Sequence, residues 1–307
     1  MRIAIIGQQD FGKAALEAFI ARGDDVAAVF CAPHKPDARA DVLHVAADAL
    51  SLPVFQFASL RSADAAQAMR ALNVDLAVMA YVLQFAPQAL LNIPRHGTIQ
   101  YHPSLLPKHR GPSSINWPIA LGETETGLTI FRPSDGLDQG PVILQKTCAI
   151  GPDDTLGDVY FKHLFPDGVQ ALLEAADRVT SGRIEPIEQD ESGASYEGWF
   201  HEQEAKINWS NHVDQVYNLI RACNPAPGAW TLLGGVKVSL FDCRKHVLRA
   251  FAPQHGHPGD IFRLTADSLF INAQGGQIEV LRLKAEGGQK MNAAEFARSH
   301  GLQAATS

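Results

Sequence analysis

From Arg2 to Gly7 the chain is a short run of apolar, mostly β-branched positions. From Phe11 to Arg22 its apolar residues recur at helical spacing (Ala15, Leu16, Phe19, Ile20), until Gly23 stops the repeat. This pattern predicts a strand, a tight turn and a helix. It then recurs as strand Val26–Cys31, helix Asp41–Leu50, strand Val54–Phe57, helix Ser62–Leu72 and strand Asp75–Ala80. Such alternation implies right-handed βαβ crossovers and a mostly parallel sheet with helices on both faces. Further strands are expected near Gly97–Tyr101, Leu128–Phe131 and Val142–Ala149, with one long helix from Thr155 to Thr180 after them.

The pattern changes beyond Ser181-Gly182. Glu185–Tyr196 is rich in Glu, Asp, Gly and Ser without apolar periodicity, and reads as a linker. A helix near Val213–Cys223 comes next, and after Pro225-Ala226-Pro227-Gly228 come short strands (Lys237–Asp242, Asp260–Leu264, Ser268–Ile271, Ile278–Leu283) broken by glycine pairs. The expected fold is α/β: a Rossmann-like domain over 1–184, a linker over 185–204 and a small OB-like β-barrel over 205–307.

Composition and charge narrow the function. The 307 residues are 46% apolar, enough for one large core and a second smaller one. No run of about 18 apolar residues is present, and the start is too quickly polar for a signal peptide, so a soluble, cytoplasmic protein with no membrane partner is expected. Cys31, Cys148, Cys223 and Cys243 lack CxxC or HxxxH spacing, which argues against disulfides and against a metal site. A net charge of −7 speaks against coating nucleic acid. Residues 208–307 nevertheless hold 10 basic and 7 acidic side chains, and are the region better suited to meet a polyanion.

Several segments carry candidate chemistry. Gly7-Gln-Gln-Asp-Phe-Gly12-Lys13-Ala14 resembles a phosphate loop until Ala14 replaces the Mg²⁺-binding Ser or Thr, so its glycines are read as a tight strand-to-helix turn. Gln100, Tyr101, His102 and Ser104 crowd the end of an apolar strand, and Pro103 and Pro107 stiffen the loop beyond it. Ser134-Asp135-Gly136-Leu137-Asp138-Gln139-Gly140-Pro141 is an acidic loop able to bring a carboxylate to the same sheet edge. An Asp beside a His holds its tautomer and favours the imidazolium form. Taken alone, each has a plainer meaning: a histidine before proline is often structural, and Asp-Gly marks a turn. Asp153 and Asp154 are expected to cap a helix, and His255 with His257 makes only a weak metal claim.

Together, His102-Pro-Ser-Leu-Leu-Pro-Lys-His-Arg-Gly111 and Gly136-Leu-Asp-Gln-Gly140 resemble the signature of the 10-formyltetrahydrofolate-dependent formyltransferases. Ala205-Lys-Ile-Asn-Trp209, Ile220-Arg221, Asn224-Pro-Ala-Pro-Gly-Ala229 and Lys290-Met-Asn-Ala-Ala-Glu-Phe296 resemble the C-terminal domain shared with methionyl-tRNA formyltransferase. Pro94-Arg-His-Gly97, Tyr101-His-Pro103, Ile115-Asn-Trp117, Leu164-Phe-Pro166 and Tyr196-Glu-Gly198 are similar in particular to the amino-terminal hydrolase domain of 10-formyltetrahydrofolate dehydrogenase. On that likeness the carrier and dehydrogenase parts are expected to be lacking, and with them oxidation of the formyl group.

The resemblance implies 10-formyltetrahydrofolate as formyl donor, no metal, His102 as proton-transfer residue and Asp138 as the group that orients it. It also implies that Gln84, Phe85 and Ala86 hold the pterin, with Ser104, Leu105, Leu106, Pro107 and Asp138 lining the same pocket. Two positions depart from the family. Gln100 stands where amine formyltransferases carry an Asn whose amide stabilises an oxyanion, whereas the dehydrogenase's hydrolase domain carries an apolar residue there. Gln139-Gly-Pro141 replaces the common Thr-Gly-Asp. The acceptor therefore stays open between water and a small amine, with tRNA possible but not favoured. A non-catalytic folate-binding or sensing module would keep the pocket and lose the chemical residues. A nucleotide-dependent oxidoreductase would need the GxGxxG that is missing.

Overall fold

The computed structural model describes residues 1–34, 39–248 and 256–304. Seven strands form the first sheet: β1 (Arg2–Gly7), β2 (Asp25–Cys31), β3 (Val54–Gln56), β4 (Leu76–Ala80), β5 (Thr98–His102), β6 (Glu125–Phe131) and β7 (Val142–Ala149), in the order β3-β2-β1-β4-β5-β6-β7. The strands from β1 to β5 pair in parallel, and β6 joins β5 antiparallel. The helices between them are α1 (Gln9–Ala21), α2 (Val42–Ala49), α3 (Ala63–Leu72), α4 (Gln88–Leu91) and α5 (Asn116–Leu121). This is the expected mostly parallel sheet.

Strand alternation sorts the core. Ala4, Ile6, Ala28, Phe30, Ala77 and Met79 meet Ala65 and Met69 of α3 and Leu90 and Leu91 of α4 in one cluster. The intervening positions, Ile3 and Ile5, point the other way and are fully buried. Because β2 and β3 lie on one side of β1 and β4 and β5 on the other, the chain reverses between β1 and β4, and a crevice opens at their carboxyl ends. Gly7 pairs with Ala80 at that edge, and a Cβ on Gly7 would stand 2.3 Å from the Ala80 carbonyl oxygen, so the first loop is the close-packed turn its glycines imply.

The single long helix expected over Thr155–Thr180 is instead three pieces. These are α6 (Leu156–Val159), a π-helical turn over Tyr160–Leu164 and α7 (Phe165–Thr180). Pro166 lies in the first turn of α7, where its missing N–H is harmless, whereas inside a continuous helix it would remove a bond. Asp153 and Asp154 are not the caps expected. Thr155 caps α6 in a capping box with Asp158, while Asp154 accepts from the Gly151 N–H and Asp153 from the Tyr217 hydroxyl.

After α8 (Val213–Ala222) the strands are β8 (Ala229–Leu233), β9 (Val236–Leu240), β10 (Cys243–Val247), β11 (Ile261–Leu264), β12 (Leu269–Ala273), β13 (Gly276–Val280), β14 (Arg282–Ala285) and β15 (Lys290–Asn292), and α9 (Ala293–Ser299) ends the series. They form two four-stranded antiparallel sheets, β10-β13-β12-β11 and β15-β14-β9-β8. Pairing passes from one sheet to the other through Phe241 with Arg282 and Leu281 with Asp242, so the run expected as one strand over Ile278–Leu283 is two strands bent at Leu281. The inner residues share one core with α8 and α9.

The chain divides into two compact units. One comprises Met1–Gly111, Gly127–Cys148 and Phe161–Tyr196, the other Pro112–Thr126, Ala149–Tyr160 and Glu197–Ser307. Among the described residues no helix is long and apolar enough to cross a membrane. His255 lies outside the described residues.

Candidate functional site

His102 is the last residue of β5, buried at the carboxyl edge beside β4. Its Nε2 donates to the His109 carbonyl at 2.8 Å, so in the neutral ring the proton sits there and the Nδ1 lone pair is free. Nδ1 faces the Asp138 Oδ2 at 3.6 Å, with both side chains nearly buried. That is long for a hydrogen bond and short for an ion pair, so a proton arriving on Nδ1 meets a carboxylate in surroundings that screen it poorly. Asp135, the other acid of the same loop, is exposed. Of the two acids, only Asp138 faces His102.

The Asp138 carboxylate has two further neighbours. Its Oδ2 accepts from the Gly111 N–H at 2.8 Å, and its Oδ1 lies 3.5 Å from the Gln100 amide Nε2. Gln100 and His102 are two apart on β5 and share a face, which is how one strand brings an amide and an imidazole to one acid. The segment after His102 is stitched down. Ser104 Oγ donates to the Lys108 carbonyl, the Leu106 N–H donates to Thr129 Oγ1, and the Gln145 amide donates to both Leu106 O and Thr129 Oγ1. Ser104 and Leu106 are buried, whereas Leu105 and Pro107 are partly open.

The loop after β4 treats its three candidate residues differently. Gln84 turns its amide to the Phe57 carbonyl, Ala86 joins the core, and Phe85 stays 42% exposed with the Arg61 guanidinium 4.4 Å from its ring centre. Tyr81 and Leu83 are exposed beside it, which gives this edge an apolar rim of alternating residues.

Sequence reasoning missed a second ring of residues. Arg110, 1% exposed, donates to Gln189 Oε1, to both carboxylate oxygens of Glu191 and to the Tyr196 hydroxyl. The Glu191 carboxylate bonded to the guanidinium holds Arg110 above its ordinary pKa, and Arg110 holds Glu191 below the usual carboxylate range. Ser195 fastens the same stretch by accepting from the His109 and Arg110 N–H groups and donating its own N–H to the Pro107 carbonyl. Nothing in the order of residues signals that Arg110 is buried, the condition under which a guanidinium must find an anion. Among the described residues, no three or more of His, Cys, Asp and Glu are grouped so as to hold a metal ion.

Comparison with known proteins gives this geometry a context. The profile of the formyl transferase family matches residues 1–176, and that of the formyl transferase C-terminal domain matches residues 200–301. The chain belongs to the formyl transferase family. It is 37% identical over 246 residues to the human mitochondrial 10-formyltetrahydrofolate dehydrogenase, an alignment that covers 78% of this chain and 26% of that protein. The chain thus spans about a quarter of that relative's length. It is 33% identical over 301 residues to the methionyl-tRNA formyltransferase of Geobacter metallireducens, covering 96% of this chain and 94% of that one. Among solved structures, HypX from Aquifex aeolicus in complex with tetrahydrofolic acid shares the fold, with a TM-score of 0.69, 18% identity, and coverage of 99% of this chain and 48% of that one.

Proposed function

We propose that this formyl transferase takes the formyl group of 10-formyltetrahydrofolate and passes it to water or to an amine through a tetrahedral intermediate. The observation that carries the proposal is the pairing of His102 Nδ1 with the Asp138 carboxylate at 3.6 Å, on the sheet edge that also bears the apolar rim Tyr81, Leu83 and Phe85. In this reading the rim and the backbone of the 81–87 loop hold the flat, largely apolar pterin, and Ser104, Leu105, Leu106 and Pro107 line the far wall.

The acceptor's oxygen or nitrogen forms the new bond to the formyl carbon, and its proton passes to Nδ1 of His102. The carbonyl electrons move to oxygen, where the Gln100 amide supplies a side-chain donor. Collapse of the intermediate breaks the bond from the formyl carbon to N10, and His102 returns the proton to that nitrogen. Tetrahydrofolate leaves together with formate, or with an N-formyl amine. The His109 carbonyl fixes the neutral ring through Nε2, and Asp138 orients and balances the imidazolium once Nδ1 carries the proton. Water is supported by the similarity to 10-formyltetrahydrofolate dehydrogenase, and an amine by the retained amide at Gln100.

The test is to mix the purified protein with 10-formyltetrahydrofolate, alone and then with a panel of amines, and to monitor tetrahydrofolate and formate. We expect turnover in the native protein, a loss of about a hundredfold or more in His102→Ala, and unchanged folate binding in that variant. A His102→Ala protein as active as the native one would remove His102 from the chemistry. Folate binding with no turnover under any condition would leave a sensing module as the better description.

A further inference from the structure

Asp138 adopts a left-handed backbone conformation, with φ 51°. Asp tolerates that region better than most residues, but a strained backbone of this kind persists only where its surroundings over-determine it. One constraint is the Gly111 N–H on the side chain. Another comes from the stretch that the sequence presents as a polar linker. The Gln189 amide Nε2 donates to the Asp138 carbonyl at 3.0 Å and to the Gly140 carbonyl at 2.8 Å. Its Oε1 accepts from Arg110 Nε at 3.1 Å and Nη2 at 2.7 Å.

The orientation of this amide is forced. A guanidinium can only donate and a carbonyl can only accept, so the oxygen must face Arg110 and the nitrogen must face the loop. The circuit also closes on itself: Asp138 is bonded through its carboxylate to Gly111, Gly111 adjoins Arg110 in the chain, Arg110 binds Gln189, and Gln189 returns to the Asp138 backbone. The segment carrying Gln189 is anchored in turn by Glu191 and Tyr196 on Arg110 and by Gln139 on the Tyr196 hydroxyl.

From this circuit we infer that Gln189 is a positioning residue for Asp138: it fixes the left-handed turn that aims the carboxylate at His102, without itself touching substrate. The inference rests on the proposed roles of His102 and Asp138. Two substitutions separate its parts. Gln189→Met keeps the length and removes every hydrogen bond, and Gln189→Glu keeps an acceptor for Arg110 while removing both donors to the loop.

The experiment measures kcat and KM for formyl release from 10-formyltetrahydrofolate in both variants, and repeats Gln189→Met in an Asp138→Asn background. We expect kcat to fall about tenfold in each single variant with KM within about twofold, since a small displacement of a reacting group acts on turnover more than on binding. In the Asp138→Asn background Gln189→Met should cost nothing further, because two residues acting through one interaction are not additive. Unchanged kcat in both single variants, or an undiminished loss in the Asp138→Asn background, overturns the inference while leaving the proposed function intact. If the native protein shows no turnover, the functional reading fails, and ¹⁵N signals of the His102 ring decide the positioning separately. They should move in Gln189→Met in the same sense as in Asp138→Asn, and an unmoved ring rejects the link.

Discussion

At the residue scale, Gln100 is the position on which the proposed chemistry depends for an oxyanion donor. Its amide stands 3.5 Å from Asp138 Oδ1, the limit of a useful hydrogen bond, so Gly111 holds the acid and the amide is available to a developing oxyanion. We expect Gln100→Leu to lower kcat about a hundredfold with little change in KM, the size of effect seen when one oxyanion donor is removed. Steady-state kinetics on the folded variant checks this, and an unchanged kcat would show that the amide plays no part in turnover. The inner site was legible in the sequence because its logic is local: residues two apart on a strand share a face, and an Asp-Gly loop after the next strand reaches the same edge. The outer ring was not. Arg110 finds its partners 79 to 86 residues later in a stretch with no apolar period, and no local pattern links a buried guanidinium to Gln189, Glu191 and Tyr196.

At the scale of elements, helix α7 is seated on the strand that ends in His102. Tyr101 stacks on Phe11 with ring centres 4.2 Å apart and donates its hydroxyl to the Leu164 carbonyl. Gly168 of α7 makes room for this pair, since a Cβ there would come 2.5 Å from the Tyr101 ring and 3.0 Å from that of Phe11. Gly168→Ala should therefore destabilise the protein by about 1–3 kcal/mol, the cost of overpacking a dense core, despite alanine's better helix propensity. Urea unfolding measures it, and a stabilised variant would show that the ring pair yields freely. Strands and helices with clear periods were predictable to within a few residues. What the periods did not convey were the interruptions: the π-helical turn before Pro166, the Thr155 cap that outcompetes two nearby aspartates, and the bend at Leu281. Each depends on one residue's bonding rather than on a repeat.

For the molecule as a whole, the division into units does not respect chain order. The second unit takes Pro112–Thr126 and Ala149–Tyr160 from within the first part of the sequence. There Asn116 donates to the Ala222 carbonyl, Arg221 donates to the carbonyls of Gly151 and Asp154, and the rings of Trp117 and Phe200 lie 4.8 Å apart. A fragment ending at residue 204 would strip α5 and the Gly151–Asp154 turn of their partners on α8 and expose the apolar face of α5. We expect that fragment to be largely insoluble or to bind a hydrophobic dye, while a monodisperse fragment on gel filtration would show the first unit to be self-sufficient. The grip of Gln189 has a consequence of its own for how such a protein can change over generations. Because the amide holds carbonyl oxygens, which every residue supplies, its hold on the turn does not depend on which side chains the gripped residues carry. A change of side chain leaves the grip itself intact, except at Gly140, where a Cβ would stand 2.1 Å from the Arg132 carbonyl oxygen.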